Sequence, residues 1–269
     1  MKLSACIEML FREAPFEQRV ALAAEAGFAA VEFWGWPGKN LDAIAEATKA
    51  AGISAAVCCV GTADPVREAA FAEGAMLVPQ NAGLYAEMVE ETIEAVSPLG
   101  IRTLIATTGQ QLAGVSREAQ CDAVVACLAA AAPVLEKHGF TIVLEPLNTL
   151  VDHKGYFLSR AAEAVQILRQ VDSPHVQLLY DIYHQQVTEG NLIATITEHI
   201  RLIGHIHIAD VPGRHQPGSG EINWRNVLGA IHRSGYAGYL GCEYTTSAGL
   251  PTLASAREVL DLAAEFADC

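Results

Sequence analysis

The chain has 269 residues, of which 51% are hydrophobic and 18% are charged, so it has material for a large core and no composition typical of disorder. Its formal net charge of −14 argues against nucleic acid as a partner, because phosphate binding requires a basic surface. The sequence shows no signal-peptide pattern, no apolar run of ~18 residues that would span a membrane, and no CxxC among its seven cysteines. We therefore expect a cytoplasmic protein with no membrane partner.

Short β-type runs alternate along the chain with helical stretches rich in Ala, Leu and Glu. The predicted strands are LSACIE (3–8), FAAVEF (28–33), ISAAVCCV (53–60), IRTLIAT (101–107), FTIVLE (140–145), VQLLYD (176–181), IGHIHI (203–208) and YLGCEY (239–244). The predicted helices lie near 15–26, 40–51, 83–98, 116–138, 159–171, 190–201, 223–234 and 252–267.

Eight strand–helix units in about 250 residues match a (β/α)8 barrel, and no linker divides the chain, so we predict a single barrel domain over 1–269. A doubly wound sheet is the alternative. It usually has fewer strands and a nucleotide-binding loop, and neither GxGxxG nor GxxxxGK[ST] occurs in the sequence.

Each of the last four predicted strands ends in a polar residue. These residues are Glu145, Asp181, His207 and Glu243. In a barrel the four strands are neighbours, and their carboxyl ends surround one patch of the mouth. Three carboxylates and one imidazole suit a divalent metal ion, with Mg²⁺ or Mn²⁺ favoured and Co²⁺ also acceptable. One such residue alone is more often a helix cap or a loop anchor, but four on consecutive strands indicate a metal site.

Other residues near the predicted mouth allow two interpretations each. His184 and Arg214 are either substrate contacts or surface loop residues, and Glu32 is either a supporting or a structural carboxylate. Trp34 and Trp36 either wall the pocket or pack against the first helix. The inward-facing His205, one pleat deeper than His207, is expected to be a buried structural partner and not a ligand.

The longest predicted connection runs from Gly61 to about Ala82, and loops of this length are often functional. We expect it to overhang the mouth, with Met76 and Leu77 able to cap a small ligand.

Two glutamates bound to one metal ion suggest proton abstraction next to a carbonyl group. The metal would hold the carbonyl and the adjacent hydroxyl oxygen and stabilise the enediolate that forms when the proton leaves. One glutamate removes the proton and the other can return it. This chemistry serves both aldose–ketose isomerisation and epimerisation beside a ketone, and it needs no organic cofactor.

The segments LEPLN, YDIYHQQ, GHIHIADVPGRHQPGSGEINW and GCEY, with the opening SACIEMLF and GFAAVEF, resemble the hydroxypyruvate isomerase family within the xylose isomerase-like barrels. The resemblance extends from about Leu3 to Tyr244. It implies an isomerase of a small hydroxylated 2-oxo acid or sugar, of the hydroxypyruvate/tartronate semialdehyde type, and often a homodimer or tetramer. The roles that it implies are metal binding by Glu145, Asp181, His207 and Glu243, acid/base catalysis by Glu145 and Glu243, and substrate contacts from His184 and Arg214.

The sequence departs from this family where YTTSAG follows Glu243 in place of a Lys-Pro pair, and where VPQNAG replaces a PGRE-like stretch. A ketose 3-epimerase is the alternative within the same mechanism. Those enzymes usually carry a glutamate shortly after the LEVLN-like motif, whereas this chain has Val151 and Asp152, which favours the isomerase. A DNA-repair nuclease of the same superfamily is disfavoured by the net charge, and a non-enzymatic sugar-binding barrel is the third possibility.

Overall fold

The computed structural model describes residues 1–266, and within them nine parallel strands form a nearly closed barrel surrounded by helices. The strands are β1 (Lys2–Cys6), β2 (Ala30–Glu32), β3 (Ser54–Ala55), β4 (Val57–Cys59), β5 (Thr103–Ala106), β6 (Thr141–Leu144), β7 (Val176–Asp181), β8 (Ile203–Ile208) and β9 (Tyr239–Cys242). Their order is β3-β2-β1-β9-β8-β7-β6-β5-β4. The predicted single-domain barrel is therefore confirmed.

The third predicted strand, 53–60, is interrupted and contributes both edges of the sheet. β3 pairs with β2, and β4 pairs with β5. Ala56 lies between them, and its N–H donates to the Val31 carbonyl at 2.8 Å. On the far side of this residue the Cys59 N–H donates to the Trp34 carbonyl at 3.2 Å, so hydrogen bonds cross the junction that nearly closes the barrel.

The helices are α1 (Gln18–Ala26), α2 (Leu41–Ala51), α3 (Pro65–Ala72), α4 (Ala82–Val96), α5 (Arg117–His138), α6 (Ala161–Val171), α7 (Ile182–Thr188), α8 (Leu192–His199), α9 (Trp224–Arg233) and α10 (Thr252–Ala264). Two of them, α3 and α7, are absent from the sequence prediction. The last position of the predicted helix 252–267, together with Cys269, lies outside the described residues.

The connection from Gly61 to Ala82 is not an unstructured loop, and the prediction that Met76 and Leu77 cap a ligand is wrong. It contains α3, whose start is capped by the Asp64 carboxylate, which accepts from the Val66 N–H at 2.9 Å. Met76 and Leu77 lie in a short 3₁₀ turn and are fully buried in the core. They anchor the segment to the barrel because their apolar side chains gain more from burial than from lining a wet cavity.

The barrel interior and the layer beneath the helices are occupied by alternate residues of each strand. A small apolar cluster within the barrel contains Ala30, Ala56, Val57, Ile105, Val143 and Leu179. The neighbours of these residues along the strands, such as Leu144 and Tyr180, belong to the larger core shared with the helices. A residue two positions beyond one of these cluster residues therefore also points into the barrel, at the carboxyl end of its strand.

Helix α5 is long and apolar enough to cross a membrane when judged by length and composition alone, with a mean hydropathy of 1.4 over its most apolar window. It packs against α4 and α6 on the outside of the barrel, and its buried side includes Val124, Leu128 and Leu135. A core helix of a globular domain passes the same test, so this helix is weak evidence for a membrane partner.

Candidate active site

The four strand-end residues predicted to bind metal come together at the carboxyl end of the barrel. Each follows an inward-facing residue by two positions, as Glu145 follows Val143 and Asp181 follows Leu179. The register pairs Asp181 with His207 across β7 and β8, which places both at one level. Each of the four residues offers a ligand atom, and these atoms all lie within 4.8 Å of one another. All four side chains are buried.

His207 stands at the centre of this group. Its Nδ1 lies 3.2 Å from Glu243 Oε2, 3.3 Å from Glu145 Oε1 and 3.9 Å from Asp181 Oδ2. One ring nitrogen therefore faces all three carboxylates. This arrangement suits a common ligand held by Nδ1 and three carboxylate oxygens.

The opposite ring nitrogen of His207 faces Glu32, deeper in the barrel. Nε2 of His207 lies 3.1 Å from Glu32 Oε1, at an angle that leaves both atoms without a hydrogen bond among the described residues. Glu32 also lies 3.1 Å from Nε2 of His205 and accepts a short hydrogen bond from the Ser4 hydroxyl. His205 is thus buried beneath the ligand group, as expected, and Glu32 supports His207 from below.

Gly241 makes room for this lower layer. A Cβ at this position would lie 2.6 Å from His207 Cδ2 and 2.7 Å from Glu32 Oε2, closer than real Cβ contacts. The YLGCEY segment therefore has glycine at position 241, where the Glu32 carboxylate and the His207 ring lie against the backbone of β9.

The electrostatics of the group follow from burial and from the alternation of acids and bases. Burial raises the pKa of Asp181, although Arg214 opposes the shift. Burial would also raise the pKa of Glu243, but His207 and Arg214 reverse this and hold it below its usual range. For His207, burial lowers the pKa but the Glu243 and Glu32 carboxylates raise it well above its ordinary value. A protonated His207 therefore partly neutralises the buried acids.

Two side chains from distant loops hold the Glu243 carboxylate. The Trp34 indole donates to Glu243 Oε1 at 2.6 Å, and Arg214 Nη2 donates to Oε2 at 2.5 Å. Arg214 also lies 3.6 Å from Asp181 Oδ2 and stacks over the Tyr183 ring at 5.3 Å. Trp34 is thus part of the site, whereas the Trp36 indole points away and donates to Thr92.

A cavity of about 240 Å³ lies above the ligand group. It is lined by Trp34, Cys59, Ile105, Thr107, Glu145, Leu147, His153, His184, His207, Arg214 and Glu243. The predicted substrate contacts, His184 and Arg214, both border it. Burial and the nearby Arg214 lower the pKa of His184 to about 3, so its ring is neutral at pH 7. Burial raises the pKa of the Cys59 thiol well above its ordinary value, which leaves it a poor nucleophile.

The loop that carries Arg214 is built around Asp210, which the sequence interpretation missed. The Asp210 carboxylate is fully buried and accepts four hydrogen bonds from within the loop and the start of α9. The donors are the N–H groups of Val211 (2.8 Å), Gly218 (2.8 Å) and Ile222 (3.2 Å) and the indole of Trp224 (2.8 Å). A Cβ at Gly220 would lie 2.6 Å from Asp210 Oδ1, and Gly218 has a positive φ of 97°, so the two glycines of GSG let the loop wrap around this carboxylate.

Asp152 directly follows Val151, the position where ketose 3-epimerases usually carry a glutamate, and it does not line the cavity. Its carboxylate accepts from the Asn148 amide at 2.8 Å and from the Tyr183 hydroxyl at 2.7 Å. These hydrogen bonds outweigh the effect of burial and lower the pKa of Asp152. Its role is to hold the loop after β6.

The comparison with protein families finds one match over most of the chain. A family described as the xylose isomerase-like TIM barrel matches residues 20–266. Hydroxypyruvate isomerase from Escherichia coli K12 is 32% identical over 254 residues, which cover 93% of this chain and 97% of that protein. The 2-oxo-tetronate isomerase of Cupriavidus necator is 32% identical over 249 residues, covering 92% and 94%.

A solved structure shows the same fold over nearly the whole chain. The crystal structure of an AP endonuclease, family 2, from Brucella melitensis has a TM-score of 0.87 at 30% sequence identity. The match covers 97% of this chain and 98% of the other. The chain is therefore similar throughout its length to proteins with this barrel.

Proposed function

Since the chain belongs to the xylose isomerase-like TIM barrel family and is an isomerase of a small substrate, we propose that it interconverts the keto and aldehyde forms of a hydroxylated 2-oxo acid or sugar. The proposed substrate is of the hydroxypyruvate/tartronate semialdehyde type. The reaction proceeds through an enediolate, with Glu145 and Glu243 as acid and base. The observation that carries this proposal is the convergence of three carboxylates and one imidazole at the floor of a cavity of about 240 Å³.

The donor set fits a divalent metal ion held by Glu145, Asp181, His207 and Glu243. Carboxylate oxygens dominate it, which favours Mg²⁺ or Mn²⁺ and allows Co²⁺. Three buried acids around a single imidazole are also a group whose charge a cation would balance. When bound, the ion would supply positive charge for the negative charge that develops on the substrate oxygens. Because ligands must be deprotonated, His207 would lose its proton as the metal binds.

The two glutamates border the space that a substrate would occupy. Both line the cavity, and they come from β6 and β9, which are separated in the barrel by β7 and β8. Trp34 and Arg214 hold Glu243 in place, whereas the side-chain partner of Glu145 among the described residues is His207. One carboxylate can therefore remove a proton from carbon while the other returns it to the neighbouring carbon.

Hydrogen-bond donors on the cavity wall would orient the substrate. Arg214 is always charged and can bind a carboxylate or ketone oxygen in addition to Glu243. His184 borders the same space. Together they favour a short substrate rich in oxygen atoms.

The test is turnover by the protein loaded with diamagnetic Mg²⁺, with proton exchange followed by NMR in D₂O. We expect hydroxypyruvate to be converted, and Glu145→Gln and Glu243→Gln each to lower kcat at least about 10²-fold, the usual contribution of a general acid or base. Glu136→Gln, at an exposed position on α5, is the matched control and should retain activity. If hydroxypyruvate is inert while C3 of a free ketose exchanges, the protein is a ketose 3-epimerase and the proposal is wrong.

Two other functions are separated by simple measurements. A nuclease would cleave DNA at abasic sites, and a net charge of −14 with an acidic site predicts no such cleavage. If the protein is a non-enzymatic sugar-binding barrel, the wild type and both glutamine variants should bind ligand equally well, and none of the three should show turnover.

We also propose that the protein is cytoplasmic and that it forms a homo-oligomer. Six cysteines in the described part of the chain are free thiols, which is typical of a reducing cytoplasm. The half-exposed Trp34 at the mouth is compatible with a homodimer or homotetramer, a state that light scattering of the purified protein would measure.

A further inference from the structure

Asn148 is the last residue of the LEPLN segment, at the carboxyl end of β6. Its side chain is fully buried beside the cavity. Its amide makes four hydrogen bonds, all within the described residues. The partners are the N–H groups of Val151 and Asp152, the Asp152 carboxylate and the His184 ring.

These partners fix which way the Asn148 amide points. Its Oδ1 accepts from the Val151 N–H at 2.9 Å and from the Asp152 N–H at 3.2 Å. Since a backbone N–H can only donate, the oxygen must occupy this side. The amide nitrogen Nδ2 therefore faces the other way, where it donates to Asp152 Oδ2 at 2.8 Å and approaches His184 Nδ1 at 2.7 Å.

The orientation of Asn148 in turn fixes the tautomer of His184. An amide NH₂ has no lone pair to offer, so His184 Nδ1 must be the acceptor. The backbone N–H of Asn148 points to the same nitrogen at 3.2 Å. Two donors on Nδ1 leave the ring proton on Nε2, because a neutral imidazole carries one N–H.

The proton-bearing nitrogen of His184 is left without a partner on a ring that lines the cavity. Nε2 is buried and has no hydrogen-bond partner among residues 1–266, and the nearest acid, Asp181 Oδ2, is 3.6 Å away. His184 itself is 0% exposed and lines the cavity. A buried N–H donor without a partner is costly, and a substrate oxygen at this point would satisfy it.

We propose that Asn148 is a positioning residue that holds His184 as the neutral Nε2–H tautomer, so that His184 donates a hydrogen bond to a substrate oxygen and does not act as a base. This role rests on the proposed function for the identity of the substrate. With Arg214 it makes one wall of the cavity consist of donors, so the substrate must present a carbonyl or carboxylate oxygen there. A donor at this position gains strength as negative charge grows on that oxygen.

The tautomer can be measured directly by NMR. Long-range ¹H–¹⁵N correlation spectra of ¹⁵N-histidine-labelled protein, loaded with diamagnetic Mg²⁺ and also free of metal, distinguish a protonated ring nitrogen from an unprotonated one. His184→Gln identifies the His184 signals by their loss. We expect Nδ1 unprotonated and Nε2 protonated near pH 7 in the wild type. A proton on Nδ1, or rapid exchange between both tautomers, would overturn the proposal without any variant.

Asn148→Asp tests the cause. It places an oxygen where Nδ2 now meets His184, so the ring proton should move to Nδ1. Tyr183→Phe is the matched control, because it removes the other hydrogen bond to Asp152 Oδ2 and leaves both ring nitrogens of His184 untouched. A folded Asn148→Asp protein that keeps the Nε2–H tautomer would refute the role of Asn148.

Kinetics provide an independent second measurement. Asn148→Asp should remove the Nε2–H donor of His184 and thereby lower kcat about 10²-fold with a smaller change in KM. The reason is that the hydrogen bond to the substrate oxygen strengthens as the reaction proceeds. If the proposed reaction is wrong, neither the wild type nor any variant will turn over hydroxypyruvate. The NMR experiment tests the tautomer of His184 independently of turnover. The two failures are therefore distinguishable.

Discussion

Asp210→Asn is expected to loosen the loop that carries Arg214, although an amide has nearly the shape of the carboxylate that it replaces. Each oxygen of Asp210 accepts two hydrogen bonds. Oδ1 accepts from Val211 and Ile222, and Oδ2 accepts from Gly218 and Trp224. Asparagine has a single acceptor oxygen, so either orientation of its amide turns an NH₂ group toward two donors.

The size of the effect follows from this count. A buried donor that loses its partner costs about 1–3 kcal/mol, so two such donors cost about 2–6 kcal/mol. The cost falls on the loop from 210 to 224, which can open locally when its closure is unfavourable. A local loss of 2 kcal/mol corresponds to a roughly 30-fold increase in the open population.

The assay is hydrogen exchange of the Gly218 and Ile222 amides in metal-free protein, combined with urea unfolding. We expect exchange of both amides to accelerate at least about 30-fold, with the free energy of unfolding lowered or unchanged according to how independently the loop opens. Asp64→Asn is the control, since Asp64 caps α3 at an exposed position and asparagine caps helices equally well. It should change stability by less than about 0.5 kcal/mol.

The reasoning would be refuted by an Asp210→Asn protein in which both amides exchange at the wild-type rate. That result would mean that the carboxylate is not the acceptor that closes the loop. Loss of substrate binding alone, without faster exchange, would also contradict it.

Two further predictions concern the layer beneath the metal ligands. Gly241→Ala should push the Glu32 carboxylate and the His207 ring aside, lowering stability by about 1–3 kcal/mol and weakening Mn²⁺ binding about 10–100-fold by calorimetry. Gly83→Ala on α4 should do neither, because a Cβ added there meets no atom within 4 Å outside its own stretch of helix, and equal behaviour of the two variants would exclude the packing role of Gly241. Glu32 has a pKa of about 2 against an ordinary value of 4.5, because His205 and His207 outweigh the effect of burial, so its carboxylate stabilises the fold above about pH 4.5 and loses this effect as the pH falls toward 2. The difference in unfolding free energy between the metal-free wild type and Glu32→Gln should therefore narrow over that range in urea titrations, and a constant difference would count against the shift.

Most of the barrel could be predicted from sequence because the relevant patterns are local. Alternation within each strand places Glu145, Asp181, His207 and Glu243 two residues beyond inward-facing positions, and this period of two does not depend on tertiary contacts. Once eight strand–helix units are counted, parallel order brings these ends together. Met76 and Leu77 were predicted to cap a ligand because the length of their connection suggested an open loop. The same connection nevertheless contains a helix-start signal, Asp64 followed by Pro65, at which α3 begins.

The partners that hold the site in place were decided by the tertiary structure. The Trp34 indole reaches Glu243 across 209 positions of sequence, and Asn148 reaches His184 across 36. No periodicity encodes such pairs, because they depend on barrel closure and on the paths of the loops. The sequence by itself determined which residues stand at the mouth, whereas the fold decided which atoms face one another: Nδ1 of His207 toward the three acids, and its Nε2 toward Glu32.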